Sequence, residues 1–378
     1  MPTNNIQMVD LKGQYIKIKE QVDAAILNVI DSAAFIKGPE VKAFQEELQN
    51  YLGVKHVIPC GNGTDALQIA LMALGLKPGD EVITANFTFA ATVEVIGLMN
   101  LTSVFVDVDE DTFNINIEEL KNAITPKTKA IIPVHLFGQA ANMEAVMKIA
   151  NDNNLFVIED TAQAIGSDYT FSDGKTQKAG TIGNVGTTSF FPSKNLGCYG
   201  DGGALFTNDD ELAKRLGAIV NHGMYKQYYH DEIGVNSRLD SIQAAVLRVK
   251  LPHLDAYCSA RRKVAEYYNN ALSEIKQLVV PVTSEKSTHV FHQYTLKTKN
   301  TNREDLIEFL KEKGIPAMVY YPVPLHQQKA YVRPEFKDED YPITMELCKS
   351  VISLPIHTEM DESQLKYITE SIKEFFNK

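Results

Sequence analysis

The four cysteines, Cys60, Cys198, Cys258 and Cys348, are too far apart for a C-x-x-C pair or a zinc-ligand spacing. They read as free thiols in a reducing compartment, so Asn-x-Thr triplets at Asn62, Asn86 and Asn100 are coincidences and not glycan sites. No apolar stretch is long enough to cross a bilayer, and no membrane partner is expected. The first ten residues, Met1 to Asp10, lack a basic segment followed by an apolar run and do not read as a signal peptide. A cytoplasmic location is expected. There is no long basic run and the formal net charge is −11, which argues against nucleic acid as a partner. An anionic small substrate would need a local basic pocket set against that global field. Internal repeats and low-complexity segments are also missing.

With 378 residues, 44% of them hydrophobic, the chain can bury a large core. Ile18, Val22, Ile26 and Ile30 recur at helical spacing. A second helix is expected after Gly38-Pro39, with Gly53 just past its end. Short apolar runs then alternate with helical patterns. The runs at residues 57–60, 82–84, 104–106, 130–134 and 155–158 predict strands separated by helices, an α/β fold with a mainly parallel, doubly wound sheet. Ligands of such sheets bind beyond the carboxyl ends of the strands. A long helix is expected over 240–250, ended or kinked by Pro252, and another over 257–272. Beyond about residue 281 the pattern changes to a small α+β domain. Strands are expected at 290–296 and 317–320, a helix at 303–313 and a last helix capped by Asp361. Two domains follow, residues 1–255 with the large sheet and 256–378 as the small C-terminal unit.

Three places beyond strand ends carry chemistry. Ser189-Phe-Phe-Pro-Ser-Lys194-Asn-Leu-Gly-Cys-Tyr-Gly-Asp-Gly-Gly203 sets one lysine among two serines, two phenylalanines, a proline and four glycines. Desolvation makes a lysine amine nucleophilic, and its general use is a Schiff base with a carbonyl compound or with pyridoxal phosphate. Gly61-Asn-Gly63-Thr64-Asp65-Ala66 joins a strand to a helix and matches the dinucleotide fingerprint G-x-G-x-x-A. The acid that fingerprint requires belongs at the end of the second strand, whereas Asp80 and Glu81 precede theirs. The turn suits a single phosphate at a helix N-terminus. Asp160 ends an apolar strand, where a carboxylate can keep a pyridine nitrogen protonated. Phe89, after the strand at 82–84, can cover a planar cofactor. Together these residues make a pyridoxal 5'-phosphate site.

The motifs Gly38-Pro-Glu, Gly61-Asn-Gly-Thr-Asp-Ala-Leu67, Glu159-Asp160-x-Ala-Gln163, Ser189-Phe-Phe-Pro-Ser-Lys194-Asn-Leu-Gly197, Gly200-Asp-Gly-Gly203, Asn236-Ser-Arg-Leu-Asp240 and Tyr321-Pro-x-Pro-Leu-His326 occur in order along the chain. In this the sequence resembles the DegT/DnrJ/EryC1/StrS family of sugar aminotransferases, which have the fold-type I, aspartate-aminotransferase-like architecture. The resemblance implies that Lys194 is the Schiff-base lysine and proton carrier, that Asp160 pairs with the pyridine nitrogen and that Gln163 bonds the ring hydroxyl. Phe89 would stack on the ring. Gly63, Thr64 and Ser189 would form the phosphate seat, joined by Asn236 from the partner subunit, so that a homodimer shares its active sites, and Asp65 would be a further cofactor-binding residue. One departure is Gly183-Asn184, where many members have Gly-Asp, after a lengthened segment at 173–181.

The run Asn236-Ser237-Arg238 resembles the branch acting at C3 of a keto sugar, and the fuller pattern resembles enzymes acting on a UDP-2-acetamido-2-deoxy-3-keto-glucuronic acid. A uronate carboxylate suits Arg238 bidentately, with His230, Tyr320, Tyr321 and His326 as further substrate contacts. The expected activity is glutamate-dependent transamination for a surface polysaccharide such as lipopolysaccharide, without a metal. The alternatives are a dTDP-3-keto-6-deoxyhexose 3-aminotransferase and, from another class, a nicotinamide-dependent oxidoreductase using Gly61 and Gly63. A dehydratase of the same fold would have lost Lys194, and a non-catalytic sensor would need an extra domain.

Overall fold

The computed structural model describes residues 6–377. Helices α1 (Leu11–Ser32) and α2 (Pro39–Leu52) come first; Pro39 takes the first helical position of α2, and Gly53 closes it in the left-handed region at φ 66°. The large domain then runs β1 (His56–Cys60), α3 (Gly63–Ala73), β2 (Glu81–Ala85), α4 (Ala91–Leu98), β3 (Thr102–Val106), α5 (Ile117–Asn122), β4 (Thr128–Ile132), α6 (Met143–Asp152) and β5 (Phe156–Asp160). A hairpin of β6 (Asp168–Thr170) and β7 (Thr176–Lys178) precedes β8 (Val185–Ser189), β9 (Gly203–Thr207) and α7 (Asp210–Ile219). β10 (Met224–Lys226) and β11 (Tyr229–His230) form a second hairpin, and α8 (Ser241–Lys250) follows.

The main sheet has seven strands in the order β1-β9-β8-β5-β4-β2-β3. Only β9 runs against its neighbours. Because successive side chains on a strand point to opposite faces, fully apolar strands feed two cores. Ile83, Ile131 and Val157 pack on one side with Leu120 of α5 and Val146 of α6. Val82, Ile132 and Ile158 pack on the other with Ala70 of α3, Val95 of α4 and Leu216 of α7. Helices thus cover both faces, and the sheet is doubly wound. β1 lies at an edge, whereas a dinucleotide fold places its fingerprint strand centrally, and Asp80 sits at the amino end of β2 bonded to the Lys77 N–H. Those two placements remove the nicotinamide reading.

The small domain contains α9 (Leu254–Leu272), β12 (Leu278–Val279), β13 (Tyr294–Thr298), α10 (Arg303–Glu312), α11 (Pro342–Ser350), β14 (Val351–Leu354) and α12 (Glu362–Phe376). Its three strands form an antiparallel sheet, and Asp361 caps α12 in a reciprocal capping box with Gln364. α9 belongs to both domains. Leu254 and Cys258 pack with Phe44 and Phe190, whereas Val264, Tyr268 and Leu272 pack with Tyr294 and Ile368. A division at residue 255 falls in its first turn.

Two expected strands differ from the structure. The run 290–296 is interrupted at Phe291, whose φ is 44°. Val290 faces the large-domain core and Tyr294 the small one, so the chain crosses between domains there and β13 starts only at Tyr294. Residues 317–320 form a single bridge, Met318 to Ser353. The lengthened segment at 173–181 supplies the turn and second strand of the β6–β7 hairpin, with Lys178 paired to Asp168 at 2.9 Å. Asn184 Oδ1 accepts the Val157 N–H at 2.7 Å, tying the start of β8 to β5. Among the described residues no helix is long and apolar enough to cross a membrane.

Candidate active site

Three strands bring the phosphate turn and the lysine loop together. Cys60, the last residue of β1, and Ser189, the last of β8, both pair with Gly203 at the start of β9. A Cβ on Gly203 would lie 2.5 Å from the Asn62 carbonyl carbon, and one on Gly63 would lie 2.7 Å from Ser189 Cβ. Glycine is required at both positions because the two backbones approach so closely. Asn62 caps α3 by accepting the Asp65 N–H at 2.8 Å. The N–H groups of Gly63 and Thr64 open α3, where a helix has no internal acceptor for them and its dipole favours an anion. Ser189 Oγ accepts the Phe191 N–H at 3.2 Å, which leaves its own hydrogen to donate. Asp65 is committed elsewhere: its Oδ2 accepts from Ser237 Oγ at 2.6 Å, and Ser237 Oγ accepts the Gly61 N–H at 2.9 Å. The carboxylate braces the turn against the segment that carries Asn236.

Lys194 leaves β8 on a tight turn in which its N–H donates to the Phe191 carbonyl at 2.9 Å. Burial pushes its amine down to about 8, with the Asp160 carboxylate pulling the other way. About half of the amine is therefore unprotonated at pH 8, far more than an ordinary lysine would supply, and the neutral form is the nucleophile. Uptake of pyridoxal phosphate by the apoenzyme is expected to accelerate as pH rises to about 8 and then level off. Stopped-flow absorbance checks this; a rate still climbing towards an ordinary lysine's 10.5 would show an unperturbed amine.

Asp160 is 5% exposed at the carboxyl end of β5, paired with Thr187 of β8. Its Oδ2 accepts from Thr92 Oγ1 at 2.8 Å and its Oδ1 from the Ala162 N–H at 3.1 Å. Gln163 Oε1 accepts the Phe137 N–H at 2.7 Å while its Nε2 donates to Tyr321 Oη at 3.0 Å, and the second amide hydrogen remains to donate. Phe89 is 57% exposed, with its ring 6.2 Å from that of Tyr321, so an apolar face is presented beside Gln163. Burial pushes the Tyr321 phenol up. Tyr320 is half-buried and also pushed up by burial, against a hydrogen bond with Gln293. His326 is buried with both ring nitrogens engaged, Nδ1 with Asn86 at 2.7 Å and Nε2 with Asp338 at 3.0 Å. It pins the Tyr321–His326 segment to the end of β2, and its ring has no nitrogen left for a substrate.

Asn236, His230 and Arg238 are the remaining expected residues. Asn236 is exposed and bridges to Asn221. His230 stands on the exposed β10–β11 hairpin and bonds the His222 carbonyl at 2.8 Å. Arg238 lines a cavity of about 520 Å³ with Lys37, Lys42, His56 and Lys214. Lys37 is pushed down by burial and by the Arg238 cation.

Several residues in the site carry no motif. Thr92 sits inside an apolar helix pattern, and His292, pushed well down by burial and by the neighbouring Lys194 and Arg261 cations, sits in a strand-like run. Lys250, 1% exposed, donates to the Gly197 carbonyl at 2.7 Å and lies 4.6 Å from the Tyr199 ring centroid. The Cys198 thiol bonds the Phe190 and Gly200 carbonyls at 3.0 and 3.2 Å, and the Tyr199 N–H bonds Gln243 at 2.8 Å. These contacts give Cys198 and Tyr199 a part in shaping the lysine loop.

The donors present fit pyridoxal phosphate: a helix start and hydroxyl for its phosphate, a pinned carboxylate for its ring nitrogen, and a lysine with a lowered pKa for its carbonyl. Comparison with known proteins agrees. The chain is 48% identical over 374 residues to the "Pleiotropic regulatory protein" of Geobacillus stearothermophilus, covering 98% of this chain and 99% of that one. It is 43% identical over 367 residues to the UDP-2-acetamido-2-deoxy-3-oxo-D-glucuronate aminotransferase of Pseudomonas aeruginosa, covering 97% and 99%. The crystal structure of a DegT DnrJ EryC1 StrS aminotransferase from Brucella abortus superposes with a TM-score of 0.92 at 43% identity, over 99% of this chain and 100% of that one. The sequence profile of one family matches residues 16–373, nearly the whole chain: this protein belongs to the DegT/DnrJ/EryC1/StrS aminotransferase family.

Proposed function

We propose that this aminotransferase converts UDP-2-acetamido-2-deoxy-3-keto-glucuronic acid into the 3-amino sugar, with glutamate as amino donor, for a surface polysaccharide. The observation that carries the chemistry is the Lys194 amine, held near 8 by burial and within the field of Asp160, beside a helix start that fits a phosphate. Pyridoxal phosphate, when bound, supplies a carbonyl that exchanges amines and a ring that accepts electrons from the carbon losing its proton. The N–H groups of Gly63 and Thr64 and the Ser189 hydroxyl would hold the phosphate. Asp160 would keep a proton on the ring nitrogen, and Gln163 would donate to the ring hydroxyl. Lys194 Nζ would take the proton from one carbon and return it to the other, while Phe89 and Tyr321 cover the ring face and exclude water. A regulator without catalysis would have no need of this amine.

The substrate reading rests on the relative at 43% identity and on the cationic pair Lys37–Arg238 in an otherwise acidic protein. From the family resemblance, Asn236 would serve the phosphate seat of a second copy in a homodimer; a fully active monomer in sedimentation would end that placement. Amination coupled to glutamate consumption tests the sugar. With a carboxylate for Arg238 to bond, the UDP-3-keto-uronate is expected to exceed dTDP-3-keto-6-deoxy sugars in kcat/KM by about 10–100-fold, the factor a charge-assisted hydrogen bond provides. Turnover on the dTDP compounds alone would sink the uronate assignment.

A further inference from the structure

The Asp160 carboxylate has a partner to which no role has been attached. Thr92 is the second residue of α4, 1% exposed, and its Oγ1 donates to Asp160 Oδ2 at 2.8 Å. The Ala162 N–H takes the other oxygen at 3.1 Å. The backbone beneath is equally fixed: the Asp160 N–H donates to the Pro133 carbonyl and its carbonyl accepts from the His135 N–H, each at 3.0 Å. One helix and one loop therefore grip opposite oxygens of the same carboxylate. Apolar packing alone would favour valine at position 92, since the flanking Ala91, Val95 and Ile96 are core residues and Val93 packs under Leu325 and Tyr341. A buried threonine hydroxyl in such a place is tolerated when it is bonded, and here its bond goes to an acid.

We propose that Thr92 is a positioning residue: its hydroxyl fixes the rotation of the Asp160 carboxylate, so that a free lone pair points at the ring nitrogen of the cofactor. This rests on the assignment of Asp160 to that nitrogen. The bond acts through Asp160 on the electronics of the bound ring, and its loss should appear in catalysis more than in sugar binding.

The test compares Thr92→Val, close in shape but without the hydroxyl, with Thr92→Ser, which restores it. In Thr92→Val, kcat falls about tenfold or more with KM for the sugar little changed, and the visible absorbance of the bound cofactor shifts. Thr92→Ser recovers both readouts. A valine variant with wild-type kcat and spectrum and only a lowered Tm would make the residue structural and overturn the proposal. So would a serine variant as impaired as the valine one. An Asp160→Asn holoenzyme with an unaltered spectrum would overturn the assignment of the acid itself, a separate failure from either of these.

Discussion

Lys194→Ala is expected to lower turnover by about 10⁴-fold, the upper range for a single group that moves a proton, and to leave the purified protein without its yellow colour. Loss of the amine removes both the covalent anchor of the cofactor and the base beside it. Borohydride reduction of the wild-type holoenzyme should fix the cofactor on Lys194, as peptide mapping would read. The competitor to watch is Lys250, because burial pushes its amine down to about 8 as well. Its surroundings argue against it. Its Nζ is spent on the Gly197 carbonyl and the Tyr199 ring. A label recovered on Lys250 would therefore overturn the whole arrangement, since the phosphate seat at Gly63 and Ser189 would then serve nothing.

Asp160→Asn is the second large effect. The amide keeps the shape: its oxygen can accept the Ala162 N–H while its NH2 donates to Thr92 Oγ1, whose hydroxyl turns to accept, so the fold should survive with Tm little changed. What disappears is the charge that holds a proton on the ring nitrogen. Removing one preorganised electrostatic partner costs about 10²–10³ in kcat, and the absorbance of the bound cofactor should change with it. Full activity in this variant would show that the ring works without its acid, and the site would need another reading.

Much of this site was legible because its residues stand where punctuation is strongest. Gly38-Pro39 and Gly53 bracket α2 because proline is tolerated in the first turn of a helix and glycine adopts the left-handed cap. The ends of β1, β5 and β8 could be read because a buried parallel strand is an apolar run that stops at the ligand crevice. Other features depend on partners distant in sequence. Thr92 looks like any β-branched residue in an apolar helix, and only the fold brings Asp160 to it. The alternation from Val290 to Leu296 imitates a strand because apolar residues are needed on both sides of a domain crossing, and the turn at Phe291 leaves no glycine to mark it. His326 carries a family motif, yet Asn86 and Asp338 take both its nitrogens. A motif gives a position, whereas a role depends on which bonds are already made.

The pairing of Cys60 and Ser189 on either side of Gly203 also fixes an order of events in the life of the chain. β1 acquires its neighbour β9 only after some 140 intervening residues have been placed, a late step for a contact so distant in sequence. Until then the start of α3 and the Ser189 hydroxyl are not neighbours, and a phosphate finds at most half its seat. The cofactor can stabilise the finished protein by mass action, but it has little hold on the unfinished chain. Bound cofactor therefore reports that β1, β8 and β9 have come together.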